Sequence, residues 1–282
     1  MRRFLTFVIM LALTAVLASC GSDNDPRANL VTAVTTPSFA VVTDAGGATS
    51  IVSDVSCIVE FDDENKTALV MMPDPGWNRE GEGSVLRFSG LDWVFSGLAR
   101  RLTTKSAAPD GMPEPVLSDI RILYQAPREI SGRMVDGLAV SFTTDGKRVT
   151  FIPLYIMLNG STESVALDDP VEAIVSTKTV YEVEIDSSSL TASVVIRDPQ
   201  FDLCRRISLP ELELHSLKVE LNSDGFTISS PSEVPYVGGF PDPDYEIRDL
   251  KFDVSLFGQS SLSYVTAAGY TVKAYFDAVY MP

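Results

Sequence analysis

Two segments of the chain say nearly the same thing: EFDDENKTALVMMPDP begins at Glu60 and EIDSSSLTASVVIRDP begins at Glu184. A repeat at a constant offset constrains the fold more than any composition figure, because each copy must be a structural unit of its own kind. At an offset of 124, Val59, Glu60, Asp62, Thr67, Ala68, Val70, Asp74 and Pro75 meet Val183, Glu184, Asp186, Thr191, Ala192, Val194, Asp198 and Pro199. Phe61, Met71, Met72 and Trp77 meet Ile185, Val195, Ile196 and Phe201, so apolar positions stay apolar. Duplication accounts for both the identities and the phase.

Within each copy the apolar residues recur with period two, the signature of a half-buried strand. Val59 and Phe61 oppose Glu60 and Asp62, and Ala68, Val70 and Met72 share one face; the second copy repeats this with Ala192, Val194 and Ile196. The pattern predicts a hairpin with DDEN or DSSS at its tip, ended by Asp-Pro. In LRFSGLDWVF and LELHSLKVEL the apolar phase slips by one residue, at Gly90 and at Ser216. A β-bulge produces such a slip. SDIRIL (118–123) is read against YEIRDL (245–250), and late hairpins turn at Asp145-Gly146 and around Gly269. The expected class is all-β: two tandem repeated β-sandwich or small β-barrel domains of six or seven short strands each, after a signal peptide. The expected division is residues 1–19 signal peptide, 20–37 acidic tether, 38–160 first copy and 161–282 second copy, with 158–170 as the linker.

The chain opens with Arg2-Arg3 before an apolar run from Leu5 to Val16. That is a charged n-region and a short h-region, too short for a membrane-spanning helix of roughly 20 residues. Leu17-Ala18-Ser19-Cys20 follows and resembles the lipobox of bacterial lipoproteins. The resemblance implies that Cys20 receives a diacylglyceryl group and becomes the mature N-terminus, with the membrane as partner through that anchor. The acidic residues behind it, in GSDNDPRANL, resemble the surface-export signal of Bacteroidota lipoproteins. This places the protein at the outer membrane, with outer surface and periplasmic face both open. The run of strands resembles the calycin-like β-domains of Bacteroidota lipoproteins, a resemblance of rhythm that implies a fold and no functional residue.

Without residues 1–19 the chain carries 20 basic and 38 acidic residues, a net charge of −18. Such a surface repels phosphate backbones and argues against nucleic-acid partners. Beyond Cys20 the cysteines are Cys57 and Cys204, which export would allow to pair; two unpaired thiols is the plainer reading.

No nucleophile elbow, zinc-protease helix, Walker loop or dinucleotide motif is present in the sequence, and no cofactor is implied. The single histidine, His215, falls in the exposed phase of its strand. Glu60, Glu184, Asp74 and Asp198 are duplicated acids, and each has a plain structural place on a polar strand face or before a proline. No catalytic residue is assigned. Asp242, Asp244 and Glu246 form a weak calcium candidate, lacking the glycine and terminal glutamate of an EF-hand loop. The long proline-rich loop of the second copy, SSPSEVPYVGGFPDPDY, carries Tyr236, Phe240 and Tyr245, which could stack on a sugar or peptide or pack beneath the loop. The leading expectation is therefore a lipid-anchored, non-enzymatic binding or interaction module for a glycan, peptide or envelope protein. A fimbria-like or adhesin subunit stands second, and a glycosidase-like enzyme with paired carboxylates third.

Overall fold

The structure is a computed structural model that describes residues 29–35, 37–73, 85–168, 173–199 and 210–281. Cys20, Asp74, Trp77, Phe201 and Cys204 lie outside the described residues. The first sheet has ten strands: β1 (Leu30–Val34), β2 (Ser38–Thr43), β3 (Thr49–Val52), β4 (Ile58–Asp62) and β5 (Thr67–Pro73) come first. They are followed by β6 (Val85–Ser96), β7 (Ala99–Ala107), β8 (Leu117–Ile130), β9 (Arg133–Thr144) and β10 (Lys147–Pro153). The second sheet opens with β11 (Tyr155–Asn159), β12 (Ser161–Ala166), β13 (Ala173–Ser176), β14 (Val180–Asp186), β15 (Thr191–Arg197) and β16 (Leu212–Asn222). It closes with β17 (Gly225–Glu233), β18 (Tyr236–Val237), β19 (Phe240–Pro241), β20 (Ile247–Ser255), β21 (Ser260–Thr266) and β22 (Tyr270–Phe276). The protein is all-β, as its period-two patterning implies.

Both sheets follow one plan. The first runs β1-β4-β5-β6-β7-β8-β9-β10-β2-β3, and the second runs β11-β14-β15-β16-β17-β20-β21-β22-β12-β13. The two ends of each order are carried by one bent stretch of chain. β1 pairs with β4 while β2, after residues 35–37, pairs with β10. β11 pairs with β14 while β12, after Gly160 alone, pairs with β22. Each sheet therefore wraps onto itself as an antiparallel barrel of eight ladder positions, with β3 or β13 added outside. The count exceeds the expected six or seven strands because the closing strand is broken in two and reads as loop in the sequence.

The bends are specified locally. In the first lobe Thr35 Oγ1 accepts from Cys57 N at 2.8 Å and Ser38 Oγ donates to Val55 O at 2.7 Å, satisfying buried backbone at the break. In the second lobe a Cβ on Gly160 would lie 2.2 Å from Tyr275 O, so only glycine allows the chain to cross there. This overturns the linker at 158–170, because Asn-Gly marks the barrel corner and Ser161–Ala166 is strand. It also moves the boundary between copies to Leu154, ahead of residue 160. The tether expected at 20–37 likewise gives up Leu30–Val34 to strand β1.

The bulges stand where the phase slips. Pairing shifts between Ala68 and Val70 opposite Gly90, and between Ala192 and Val194 opposite Ser216. Gly90 has φ +67° and Ser216 φ +57°, so the extra residue sits in the left-handed region in both copies. The match of SDIRIL to YEIRDL is corrected. A second pair of bulges places Asp119 (φ +48°) and Asp249 (φ +50°) in the same role, and Leu117 and Ile247 both open their strands inward. The true partner of SDIRI is RDLKF, three residues further on. Inward phase, not residue identity, sets the register.

Inside, Phe61, Phe88, Trp93, Tyr124, Phe142 and Phe151 fill the first barrel. Tyr181, Phe226, Phe252, Tyr264 and Phe276 belong to the core of the second. The lobes are joined face to edge. On β2, β9 and β10 both faces are buried: Ala40, Val140 and Phe151 point inward, whereas Phe39, Val41, Ala139 and Ile152 belong to the second lobe's core cluster. Full burial of side chains this size stabilises by about 1.5–3 kcal/mol each for the larger ones, so the contact is no loose tether. Asp224, at the tip of the β16–β17 hairpin, accepts from Arg121 and lies 3.0 Å from Arg148, while Thr150 Oγ1 donates to Ser223 O at 2.8 Å. The C-terminal segment completes the seam. Met157 N donates to Tyr280 O at 2.8 Å, and Met281 N donates to Asp136 O, so adjacent residues bond to opposite lobes.

Candidate functional site

The interiors of the barrels are occupied by the chain's own rings. Phe61 stacks on Tyr124 at 5.5 Å and meets Trp93 edge-on at 5.8 Å; Tyr181 meets Phe276 at 5.4 Å. Burial pushes the Tyr181 phenol up to about 12, and its oxygen lies 3.3 Å from Thr162 Oγ1. Cys57 is a free thiol, wholly buried, and burial raises its pKa far above the ordinary thiol range. Among the described residues the barrel interiors are packed with side chains, and the candidate sites lie on the surface.

The aromatic loop of the second lobe folds into a small flap. Tyr236–Val237 and Phe240–Pro241 pair across Gly238-Gly239, and Tyr236 bridges to Glu213 on β16. Tyr236 meets His215 edge-on at 5.0 Å and is 37% exposed, and Phe240 is 75% exposed. Tyr245 takes the other course and packs against the core, behind a short turn of 3-10 helix over Pro243–Tyr245. Of the three rings expected to act together, two lie on the surface and one beneath it.

His215 sits between Ser193 and Glu213: Nδ1 is 3.3 Å from Ser193 Oγ, and Nε2 is 3.5 Å from Glu213 Oε2. The three residue types are those of a hydrolytic triad, but acyl transfer also needs free N–H donors converging on an oxyanion. Here the residues stand at the β15–β16 bulge on an exposed strand face, the His215 side chain itself 44% exposed, and not in a cleft that would converge such donors on a substrate. The duplicated glutamates lie in different barrels. Glu184 accepts from Tyr155 OH at 2.6 Å, which raises the tyrosine pKa, and Glu60 pairs across from Leu69. Of the calcium candidates, Asp242 caps the short helical turn by accepting from Asp244 N at 3.0 Å. Glu246 accepts from Arg248 and from Ser232, the arginine chiefly holding its carboxyl below the usual range. Among the described residues no three His, Cys, Asp or Glu side chains converge as a metal site.

Sequence reasoning missed a cluster at the mouth of the first barrel. Arg100 lies within 5.4–5.9 Å of four rings, Phe61, Trp93, Phe95 and Tyr124, and forks onto Asp63 at 2.9 and 2.7 Å. That hydrogen-bonded fork holds the Asp63 carboxyl below its usual range. Lys66 lies 4.7 Å from the Trp93 ring and 4.9 Å from Phe95. Beyond this box the β6–β7 hairpin projects Val94 (62% exposed), Phe95 (57%) and Leu98 (88%) into solvent. The available signal was the turn itself: Phe-Ser-Gly-Leu is apolar where the second copy has Leu-Asn-Ser-Asp.

No protein-family model matches the chain, and no curated protein matches it. Among solved structures the chain is similar to intact Ap-TbpB with its N and C lobes, at 8% identity and TM-score 0.26, covering 89% of this chain and 77% of that one. A tryptophan-to-alanine mutant of the vaccine antigen Transferrin Binding Protein B from Haemophilus parasuis Hp5 matches at 10% identity and TM-score 0.26, covering 91% and 77%. Superposition this loose assigns no function, and the fold assignment here stands on strand order and pairing.

Proposed function

We propose that this protein is a lipid-anchored, non-enzymatic binding module of the bacterial cell envelope, held to the outer membrane through Cys20 and recognising a glycan, peptide or envelope protein by its surface. The observation that carries the reading is the exposed flap. Tyr236 and Phe240 stand in solvent on a tight two-strand turn braced against β16, while Asp242 is tied into a turn and Glu246 into an ion pair. An exposed ring on a rigid support offers stacking area at low entropic cost, which suits recognition of a sugar or peptide. Among the described residues the terminal strands of the two sheets are short, β3 and β13 with four residues each and β1 and β11 with five, which favours this reading over assembly by strand exchange.

The test uses the whole mature chain, because the second lobe's core includes residues of the first. It is screened on an array of envelope and host oligosaccharides and peptides, and each hit is remeasured with Tyr236→Ala and Phe240→Ala. Stacking contributes about 0.5–1.5 kcal/mol per ring pair, so the double variant should bind about tenfold more weakly with an unchanged melting temperature. Unchanged binding, or a large fall in melting temperature, would remove the flap from the reading. Anchoring is tested separately by fatty-acid labelling, which Cys20→Ala should abolish.

A further inference from the structure

The same hairpin has two fates in the two lobes. Counted from the bulges at Gly90 and Ser216, the β6–β7 turn Ser96-Gly97-Leu98-Ala99 falls on the β16–β17 turn Asn222-Ser223-Asp224-Gly225, and both are closed by the same pairing, Ser96↔Ala99 and Asn222↔Gly225. In the second lobe this tip is a docking element. Asp224 enters the Arg121 and Arg148 pair of the first lobe, and the carbonyl of Ser223 accepts from Thr150. In the first lobe the equivalent tip carries Leu98 in place of the aspartate, 88% exposed, with Phe95 and Val94 beside it.

The chain enters each barrel at that same end. The second lobe begins at β11, and its tip docks on the lobe that precedes it in sequence. In the first lobe Asn29 stands at the tip end: its carbonyl accepts from Asp63 N, its side chain donates to Glu64 Oε2 at 3.3 Å, and Lys66 of the same turn lies against Phe95. Leu30, 39% exposed, adds to the apolar surface there. Asn29 lies nine positions after Cys20, with eight residues between them, about 30 Å at full extension. What precedes the first lobe, if Cys20 is acylated as proposed above, is the membrane itself.

We infer that the β6–β7 tip of the first lobe is a second membrane contact, seating Leu98 and Phe95 in the interfacial region of the bilayer that holds the acyl anchor. The occupant is a phospholipid surface and not an acidic one in particular. Lys66, Arg100 and Arg101 at this end are offset by Asp62, Asp63, Glu64 and Asp92, so insertion is apolar and insensitive to salt. Two attachment points would orient the molecule as well as tether it. Nine residue steps along β16, from Glu213 to Asn222, separate the second lobe's flap from its tip by about 30 Å, which leaves Tyr236 and Phe240 at the other end of that barrel.

The test places the N-terminus at a membrane without relying on acylation. The mature chain with Cys20→Ala and an N-terminal hexahistidine tag is held on phosphatidylcholine vesicles that contain a nickel-chelating lipid and a brominated phosphatidylcholine. Tryptophan emission is compared for the parent, Leu98→Trp and Phe240→Trp, subtracting the signal of Trp77 and Trp93; neither substitution touches the core, and matched melting curves verify that. Leu98→Trp should lose most of its added emission to bromine, at low and high salt alike, while Phe240→Trp keeps its own. Equal and small losses at both positions would overturn the proposal and leave the tip to a protein partner. Fatty-acid labelling of Cys20 is read independently, so acylation can fail while the tip contact stands, or the reverse.

Discussion

Ile152→Ala measures how firmly the two lobes are joined. Ile152 lies on β10 with its side chain outside the first barrel, yet it is fully buried within the second lobe's core cluster. Truncation removes three carbon atoms. At about 0.8 kcal/mol per buried carbon the transfer loss is about 2.4 kcal/mol. The cavity left between two packed lobes raises the cost toward about 4 kcal/mol. An internal control exists: counted from the turn glycines Gly146 and Gly269, Ile152 falls on Tyr275, which is 49% exposed on the outer face of β22. Tyr275→Ala should cost less than about 1 kcal/mol, as surface changes do. Urea unfolding of the mature chain, followed by circular dichroism and by tryptophan emission, reads both values. If Ile152→Ala shifts stability by no more than Tyr275→Ala, the first lobe's outer face is not buried in solution and the argument for a joined molecule is wrong.

Two further outcomes follow from the seam. A Cβ on Gly137 would lie 2.2 Å from the carbonyl oxygen of Val279, so Gly137→Ala should displace the C-terminal segment, and hydrogen exchange at Tyr280 and Met281 should speed up while the barrel strands stay protected. Asp136, half-buried beside Tyr124 OH at 3.2 Å, has a pKa raised chiefly by desolvation. A carboxyl whose folded pKa exceeds its unfolded one loses stability as pH rises through that interval, so Asp136→Asn should stabilise the protein at neutral pH. That advantage should vanish below about pH 4, where wild-type Asp136 is protonated in both states. Chemical denaturation at several pH values checks the sign.

Much of the architecture was legible in local pattern. The hairpin at Glu60 and its copy at Glu184, the turns capped by Asp62 and Asp186, and the bulges at Gly90 and Ser216 each express a short-range rule about side-chain alternation or backbone conformation. Such rules act over a few residues, and one chain suffices to read them. The register of SDIRIL failed for a related reason: identity at Ile-Arg favoured one alignment, while the inward phase of Leu117 and Ile247 imposed another.

What the tertiary structure alone decided is what each face meets. The runs LAVSF and VTFIP announce burial on both sides, yet nothing in them says that the cover is a second barrel beginning at Tyr155. Closure through Gly160, the seating of Asp224 between Arg121 and Arg148, and the exposure of Leu98 at the equivalent turn all depend on contacts between residues far apart in sequence. The same holds for the aromatic loop, where Tyr245 went under and Phe240 stayed out although both lie in one short stretch. Periodicity records how many faces of a strand are dry. Which surface dries them is set by packing free energy summed over the whole molecule.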